Sequence, residues 1–170
     1  MSTLLIDDLK GDRVDAAKLF AADAALLARP YAPNKWSGRH VLLHLTDALG
    51  VQLDRLRRLQ GDDKPLLWAF NQNHWAERLA YDQRDLRIAA ALFSATLDAV
   101  IELAALIPAE LYERPGIHSE IGRKTFAEVL AFIHHHNRHH LNQVQASVDG
   151  VTWTSGSTEP LRHYYGPTVP

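Results

Sequence analysis

The sequence predicts an all-α protein, a four-helix bundle with a long connection between its second and third helices. Alanine and leucine dominate four long amphipathic stretches, and glycine and proline cluster between them. Few segments show the alternation that is typical of strands. A chain of 170 residues can bury a core without disulfides. We expect residues 1–150 to form one domain and residues 151–170 to form a tail.

The first two predicted helices are separated by a proline-rich break. The first covers residues 12–28, with Asp12 as its N-cap, and the prolines of segment 29–33 end it. The second follows the N-cap Ser37 and runs to residue 60, where the segment 61–65 ends it.

The long connection, residues 65–84, is less regular and rich in aromatic residues, so we expect it to be packed and to contain one short helix. The third helix covers residues 85–107 and stops at Pro108. Residues 115–123 are predicted to form a loop.

The fourth helix begins with a capping-box signature. Thr125 is followed three residues later by Glu128, and the helical pattern continues to residue 148. The segment from Gly150 onward is rich in Gly, Ser, Thr and Pro. It contains Trp153, so we expect this tail to dock on the bundle.

The composition excludes several classes of function. Lys and Arg number 18 and Asp and Glu 20, which gives no electrostatic reason for a nucleic acid or an anionic membrane to be the partner. The absence of cysteine excludes thiolate ligands and a cysteine nucleophile, and it suits a reducing compartment. No secretory signal is evident, and no stretch approaches the roughly 20 uninterrupted apolar residues of a membrane span. We therefore predict a cytoplasmic protein.

Histidine is the unusual residue of this sequence, because five of its ten copies lie between residues 134 and 140. At about 100° per residue, His136 and His140 fall beside the apolar arc of the fourth helix, whereas His135 and His139 point toward water. Two imidazoles one helical turn apart can bind one metal ion. A polar helix face is the alternative interpretation.

The second helix offers a third imidazole. His44 borders its apolar arc. His40 lies further out and is a hydrogen-bond partner of a ligand, a substrate contact or an exposed residue. Three histidines with open coordination positions are typical of a catalytic zinc-type site. Imidazole ligands suit Zn, Ni, Cu, Co or Fe equally well.

Three segments carry a resemblance to a known family. They are residues 36–47, 117–125 and 136–144, which read WSGRHVLLHLTD, IHSEIGRKT and HNRHHLNQV. Taken in order and with their separations, they are similar to the DinB-like superfamily, close to its YfiT-type metal-dependent hydrolases and bacillithiol transferases. The likeness covers roughly residues 10 to 148.

This resemblance implies a four-helix bundle of the DinB/YfiT-like type and a divalent metal, Zn or Ni, held by His44, His136 and His140. It also implies a homodimer. His40 stands where relatives often carry Gln or Glu, which leaves open whether this chain adds a fourth ligand.

Three functions agree with these residues. A metal ion can bind a thiol as its thiolate or can lower the pKa of a water molecule toward about 7. The resemblance favours the first, the transfer of a low-molecular-weight thiol cosubstrate to an electrophilic small molecule. The alternatives are a metal-dependent hydrolase and a non-catalytic, stress-related metal-binding bundle.

Other polar residues near the histidines have two interpretations each. Asp47 either orients a ligand or is simply solvated, as exposed helix residues usually are. Gln143 lies one turn beyond His140, where it can contact substrate or a ligand or take part in polar helix packing. Arg55, Arg57 and Arg58 are expected to form a solvated face.

Overall fold

Four long helices form a bundle, which confirms the predicted fold class. In the computed structural model, which describes residues 3–154, they are α1 (Thr3–Phe20), α3 (Gly38–Gly61), α5 (Leu86–Leu106) and α6 (Phe126–Asp149). The connections contain two short helices, α2 (Ala24–Leu27) and α4 (Gln72–Arg78), and one turn of 3-10 helix (Ala109–Leu111). The short α4 lies in the long connection, as expected.

Successive helices of the bundle are not all neighbours. Helix α1 packs against α5 and α6, and α3 packs against the same two helices. Helices α1 and α3 therefore lie diagonally across the bundle. The simple up-down arrangement is broken at the first and last connections, between α1 and α3 and between α5 and α6, whereas the long connection joins the neighbouring helices α3 and α5. As a result, the histidine-bearing faces of α3 and α6 are packed directly against each other.

A small sheet covers one end of α3, and this corrects the prediction of a loop over residues 115–123. Strands β2 (Pro115–His118) and β3 (Gly122–Thr125) form an antiparallel hairpin, and β1 (Leu66–Leu67) adds to β2 in parallel. A Cβ on Gly116 would lie 2.9 Å from Leu59 Cδ2 of α3. The strands are short, and β1 lies far away in the sequence, so no local alternation signals them.

The first helix begins earlier than predicted, and Asp12 is not its N-cap. Asp12 lies in the interior of α1 with only 1% of its surface exposed. Its carboxylate pairs with His134 Nδ1 at 2.9 Å and with Arg138 at 3.4 Å, both on α6. These partners are more than 120 residues away in the sequence. The sequence therefore indicated an N-cap at Asp12, whereas this residue forms a contact between two helices.

The first helix also ends at Phe20 rather than at residue 28, and the Asp23 side chain caps the separate short helix α2. The ends of the other three long helices agree with the sequence. The Ser37 and Asp85 side chains cap α3 and α5. Thr125 and Glu128 form the reciprocal capping box at the start of α6, and Gly150 ends this helix in the left-handed conformation, with φ at 71°.

The described start of the tail docks on the bundle. The Trp153 amide donates to the carbonyl of Tyr31 at 2.7 Å, and the two rings meet edge to face with centroids 5.8 Å apart. The remaining tail, residues 155–170, lies outside the described residues.

One bundle helix is unusually apolar. Helix α5 is long enough and apolar enough to cross a membrane, with a mean hydropathy of 1.8 in its most apolar stretch. Asp98 and Glu102 interrupt it on its exposed face, and its buried face, which includes Phe93 and Leu97, packs in the core. The core helix of a bundle can be as long and as apolar as a membrane-spanning helix.

Candidate metal centre

Three histidines from two helices converge at the contact between α3 and α6. The Nε2 atoms of His44 and His136 are 3.3 Å apart. The ring of His140 lies 4.7 Å from that of His44 and 4.5 Å from that of His136, measured between centroids. One ligand nitrogen of each lies within 4.8 Å of the other two. Within residues 3–154, no carboxylate or further histidine joins this group.

Helical geometry explains why these side chains meet. His136 and His140 are one turn apart on α6, on the side that faces α3. His44 stands on the buried face of α3, between Val41 and Leu45, and is itself 1% exposed. The hydrophobic packing of the two helices therefore brings the imidazoles together.

Gln143 sets the tautomer of His140. Its Oε1 lies 2.7 Å from His140 Nδ1. An amide oxygen can only accept, so Nδ1 of His140 carries the proton and Nε2 keeps a free lone pair. The other end of the amide, Nε2 of Gln143, lies 3.2 Å from His139 Nε2, so both ends of this side chain have a partner. Hydrogen bonding of this kind orients histidines that bind metals.

Burial keeps the three imidazoles neutral. It lowers the pKa of His44 to about 4, although the nearby Asp47 charge opposes this change. Burial also lowers the pKa of His136 and of His140 well below the ordinary value, and the neighbouring histidines add to the effect. At neutral pH all three are in the unprotonated form that a metal requires.

The donor set fits a divalent metal ion. Three neutral imidazoles are ligands that Zn, Ni, Cu, Co and Fe all accept. The Nε2 atoms of His44 and His136 face each other at 3.3 Å, a separation at which both can bind the same ion. Among residues 3–154 these three histidines are the only ligand group, so the described residues leave coordination positions for an exogenous molecule.

The other residues that the sequence singled out lie outside this group. His40 contacts the Ser37 hydroxyl through Nδ1 at 2.8 Å and Asp82 through Nε2 at 3.3 Å. Of the two interpretations of Asp47, solvation is wrong, because this carboxylate is largely buried and accepts from Tyr81 at 2.8 Å and from Arg84 at 2.7 Å.

The outer histidines of α6 have partners of their own. His134 pairs with Asp12 of α1. His139 was expected to point toward water, but it accepts from Gln143 and its ring lies 4.9 Å from that of Trp153. Arg138, between the ligands in sequence, turns away to Asp15 of α1 at 2.9 Å.

Arg55 is the residue near the centre that sequence reasoning missed. Arg57 and Arg58 are exposed as predicted, but Arg55 is only 3% exposed. Its positive charge lowers the pKa of His136, a smaller effect than burial. The spacing along α3 does indicate this position. Arg55 follows His44 by eleven residues, and at about 100° per residue the two side chains lie within about 20° of each other around the helix axis.

A cavity of about 480 Å³ lies beside the centre. Arg55, Trp68, Phe70, Trp75 and Leu92 are among its lining residues. The Phe70 ring is 6.3 Å from the His44 ring and 4.5 Å from the Trp75 ring, measured between centroids. Phe70 therefore lines the cavity and also lies near His44, so the cavity adjoins the metal centre.

Known proteins resemble this chain in sequence and in fold. The family model described as the DinB superfamily matches residues 9–144. A Bacillus mycoides (strain KBAB4) protein named "putative metal-dependent hydrolase" is 24% identical over 153 residues, which are 87% of this chain and 84% of that protein. YfiT from Bacillus subtilis, described as a probable metal-dependent hydrolase with an unusual four-helix bundle topology, superposes with a TM-score of 0.79 at 17% identity over 91% of each chain.

Proposed function

The chain belongs to the DinB superfamily, and from its three-histidine centre we propose that it is a metal-dependent enzyme that acts on a small molecule. The observation that carries this proposal is the convergence of His44, His136 and His140 with no further protein ligand among the described residues. A site built only to hold a metal in place would enclose it with four ligands, whereas a catalytic site keeps a position open.

We propose that the reaction is the transfer of a low-molecular-weight thiol to an electrophile. A divalent ion, Zn or Ni, supplies a Lewis acid that favours the thiolate over the thiol at neutral pH. The chain has no cysteine, so the sulfur comes from a cosubstrate. In the reaction a carbon–sulfur bond forms and the bond from that carbon to its leaving group breaks. The leaving group departs with the electron pair, and the thiol proton passes to solvent.

The residues of the chain support this chemistry by holding and orienting groups. His44, His136 and His140 provide neutral nitrogen ligands, and Gln143 fixes the tautomer of His140. Phe70 and Trp36 lie near His44, with ring centroids 6.3 Å and 5.4 Å away, and give the centre apolar neighbours.

Hydrolysis is the second candidate function, because both named relatives are described as metal-dependent hydrolases. A hydrolase needs a base that takes a proton from the attacking water. Asp47 is engaged by Arg84 and Tyr81 instead. Asp47, the carboxylate that the sequence placed near the ligands, is therefore not a free base, which supports thiol transfer over hydrolysis. A non-catalytic, metal-binding bundle is the third alternative.

The ligand assignment predicts the metal content of three variants. His44→Ala and His136→Ala should each abolish stoichiometric metal binding, because two imidazoles alone hold an ion weakly. His135→Ala is the control, since this imidazole is outside the group. Elemental analysis after dialysis measures the result, and equal metal content in all three variants would contradict the assignment.

An activity screen separates the three functions. The metal-loaded protein is assayed with several bacterial thiols and a chloronitroarene as electrophile, and with a nitrophenyl ester without thiol. Turnover that requires one thiol and is lost in His44→Ala supports thiol transfer. Ester turnover without thiol, lost in the same variant, supports hydrolysis. Stoichiometric metal with neither activity supports the non-catalytic bundle.

The predicted assembly and location are part of the same proposal. We propose that the protein is a homodimer in the cytoplasm and that nucleic acids and membranes are not its partners. The net charge of −2 supports the exclusion of nucleic acids. Both statements remain predictions.

A further inference from the structure

A buried guanidinium beside the metal centre has no counter-charge. Arg55 is 3% exposed, and within residues 3–154 no carboxylate lies within ion-pair distance of it. Its donors reach only neutral acceptors, the Gln52 side chain at 3.3 Å and the carbonyl of Trp68. Its Nε is buried with no hydrogen-bond partner. A buried charge held in this way is costly unless an opposite charge joins it.

The acidic residues around the cavity are already matched. Of the lining carboxylates, Asp47 pairs with Arg84 at 2.7 Å and Asp54 pairs with Arg58 at 2.7 Å. Arg55 also lines this cavity and has no such partner. The described walls therefore carry one unmatched charge, and it is positive.

The rest of the cavity is apolar. Trp68, Phe70, Trp75, Leu79 and Leu92 contribute to its walls, and the volume of about 480 Å³ is within the range of small-molecule sites. Aromatic walls favour a flat apolar body, because stacked or edge-on rings add stabilisation beyond the area they bury. Trp68 is 67% exposed, so this part of the wall reaches the solvent.

We propose that this cavity binds a small molecule with an apolar, ring-sized body and one anionic group, and that Arg55 holds the anion. The carboxylate or similar group of the ligand replaces the missing counter-charge of Arg55, and the ring lies against the tryptophans. This inference deepens the proposed function by naming the class of electrophilic substrate. It rests on that function only where it identifies the bound molecule as the substrate of the reaction.

Its test is a binding experiment on the metal-free protein, so that anion binding to a metal plays no part. Benzoate is the probe and benzamide is its uncharged control of nearly the same shape. Tryptophan fluorescence reports binding, because Trp68 and Trp75 line the cavity, and calorimetry provides an independent readout. We expect benzoate to bind at least about tenfold more tightly than benzamide, as a charged hydrogen bond would give.

Three variants assign the preference to Arg55. Arg55→Met should reduce the affinity for benzoate about tenfold or more and leave the affinity for benzamide unchanged. Arg55→Lys should retain part of the preference, because it keeps the charge but not the fork of donors. Arg57→Met is the matched control, since it removes the same charge from the exposed face of the same helix.

The outcomes are decisive in either direction. Failure of benzoate to bind at millimolar concentration, or equal binding of benzoate and benzamide to the natural protein, overturns the proposal without any variant. Equal benzoate affinity in Arg55→Met and the natural protein also overturns it. Binding without thiol transfer or hydrolysis would leave the anion site intact and contradict the proposed function. Turnover of uncharged electrophiles only, without benzoate binding, would support the proposed function and overturn the anion site.

Discussion

Gln143 shows how one side chain decides whether a histidine can act as a ligand. An imidazole presents a lone pair at one nitrogen only, and the partner of the other nitrogen determines which one. The amide oxygen of Gln143 accepts from Nδ1 of His140, so the lone pair of Nε2 remains on the side of His44 and His136. His139 and His140 are neighbours with similar chemistry, yet only His140 has this arrangement.

The Gln143→Leu variant tests this role. Loss of the acceptor leaves the tautomer and the ring of His140 unconstrained, and we expect metal affinity to fall by about 10- to 100-fold. Competition with a chromophoric chelator measures the affinity. Gln143→Glu, which keeps an acceptor oxygen, should retain most of it. Gln145→Leu is the control, because its amide contacts the exposed Asp149. Unchanged affinity in Gln143→Leu would show that the hydrogen bond does not support the site.

Polar contacts between elements fix the position of α6, which carries two of the three histidines. The buried carboxylate of Asp12 on α1 meets His134, Asn137 and Arg138 of α6. These residues share one side of α6, and His136 and His140 lie on the side that faces α3. The contact with α1 therefore contributes to the rotation of α6 about its own axis and so to the direction of the ligands.

Removal of this contact should destabilise the protein. Asp12→Ala leaves His134 and Arg138 without their buried acceptor, and we expect the free energy of unfolding to fall by about 3 kcal/mol. Asp15→Ala removes a partner of Arg138 that is half-exposed, so its effect should stay below about 1 kcal/mol. Urea denaturation of both variants measures the difference. Equal effects would mean that the burial of Asp12 has no energetic importance.

At the scale of the whole molecule, local signals predicted the helices and missed the contacts between distant segments. Period and capping residues placed α3, α5 and α6 within a residue or two, because these signals lie within one helix. The hairpin at residues 115–125 and the buried Asp12 depend on partners from other parts of the chain. Arg55 is a further example. Its spacing from His44 could be read from the sequence, but its lack of a counter-charge depends on residues of other elements and could not.

The centre joins two helices of the bundle, so a bound metal should stabilise the whole fold. A ligand present at 100 times its dissociation constant adds about 2.7 kcal/mol to the free energy of unfolding. For a chain of this size that corresponds to a rise of about 5–10 °C in the midpoint of thermal unfolding. Calorimetry with and without Zn or Ni measures the shift. His44→Ala should abolish it, since this variant removes the ligand on α3, whereas His135→Ala should keep it. A shift that survives in His44→Ala would place the stabilising ion elsewhere, because His136 and His140 lie on one helix and cannot join α6 to α3.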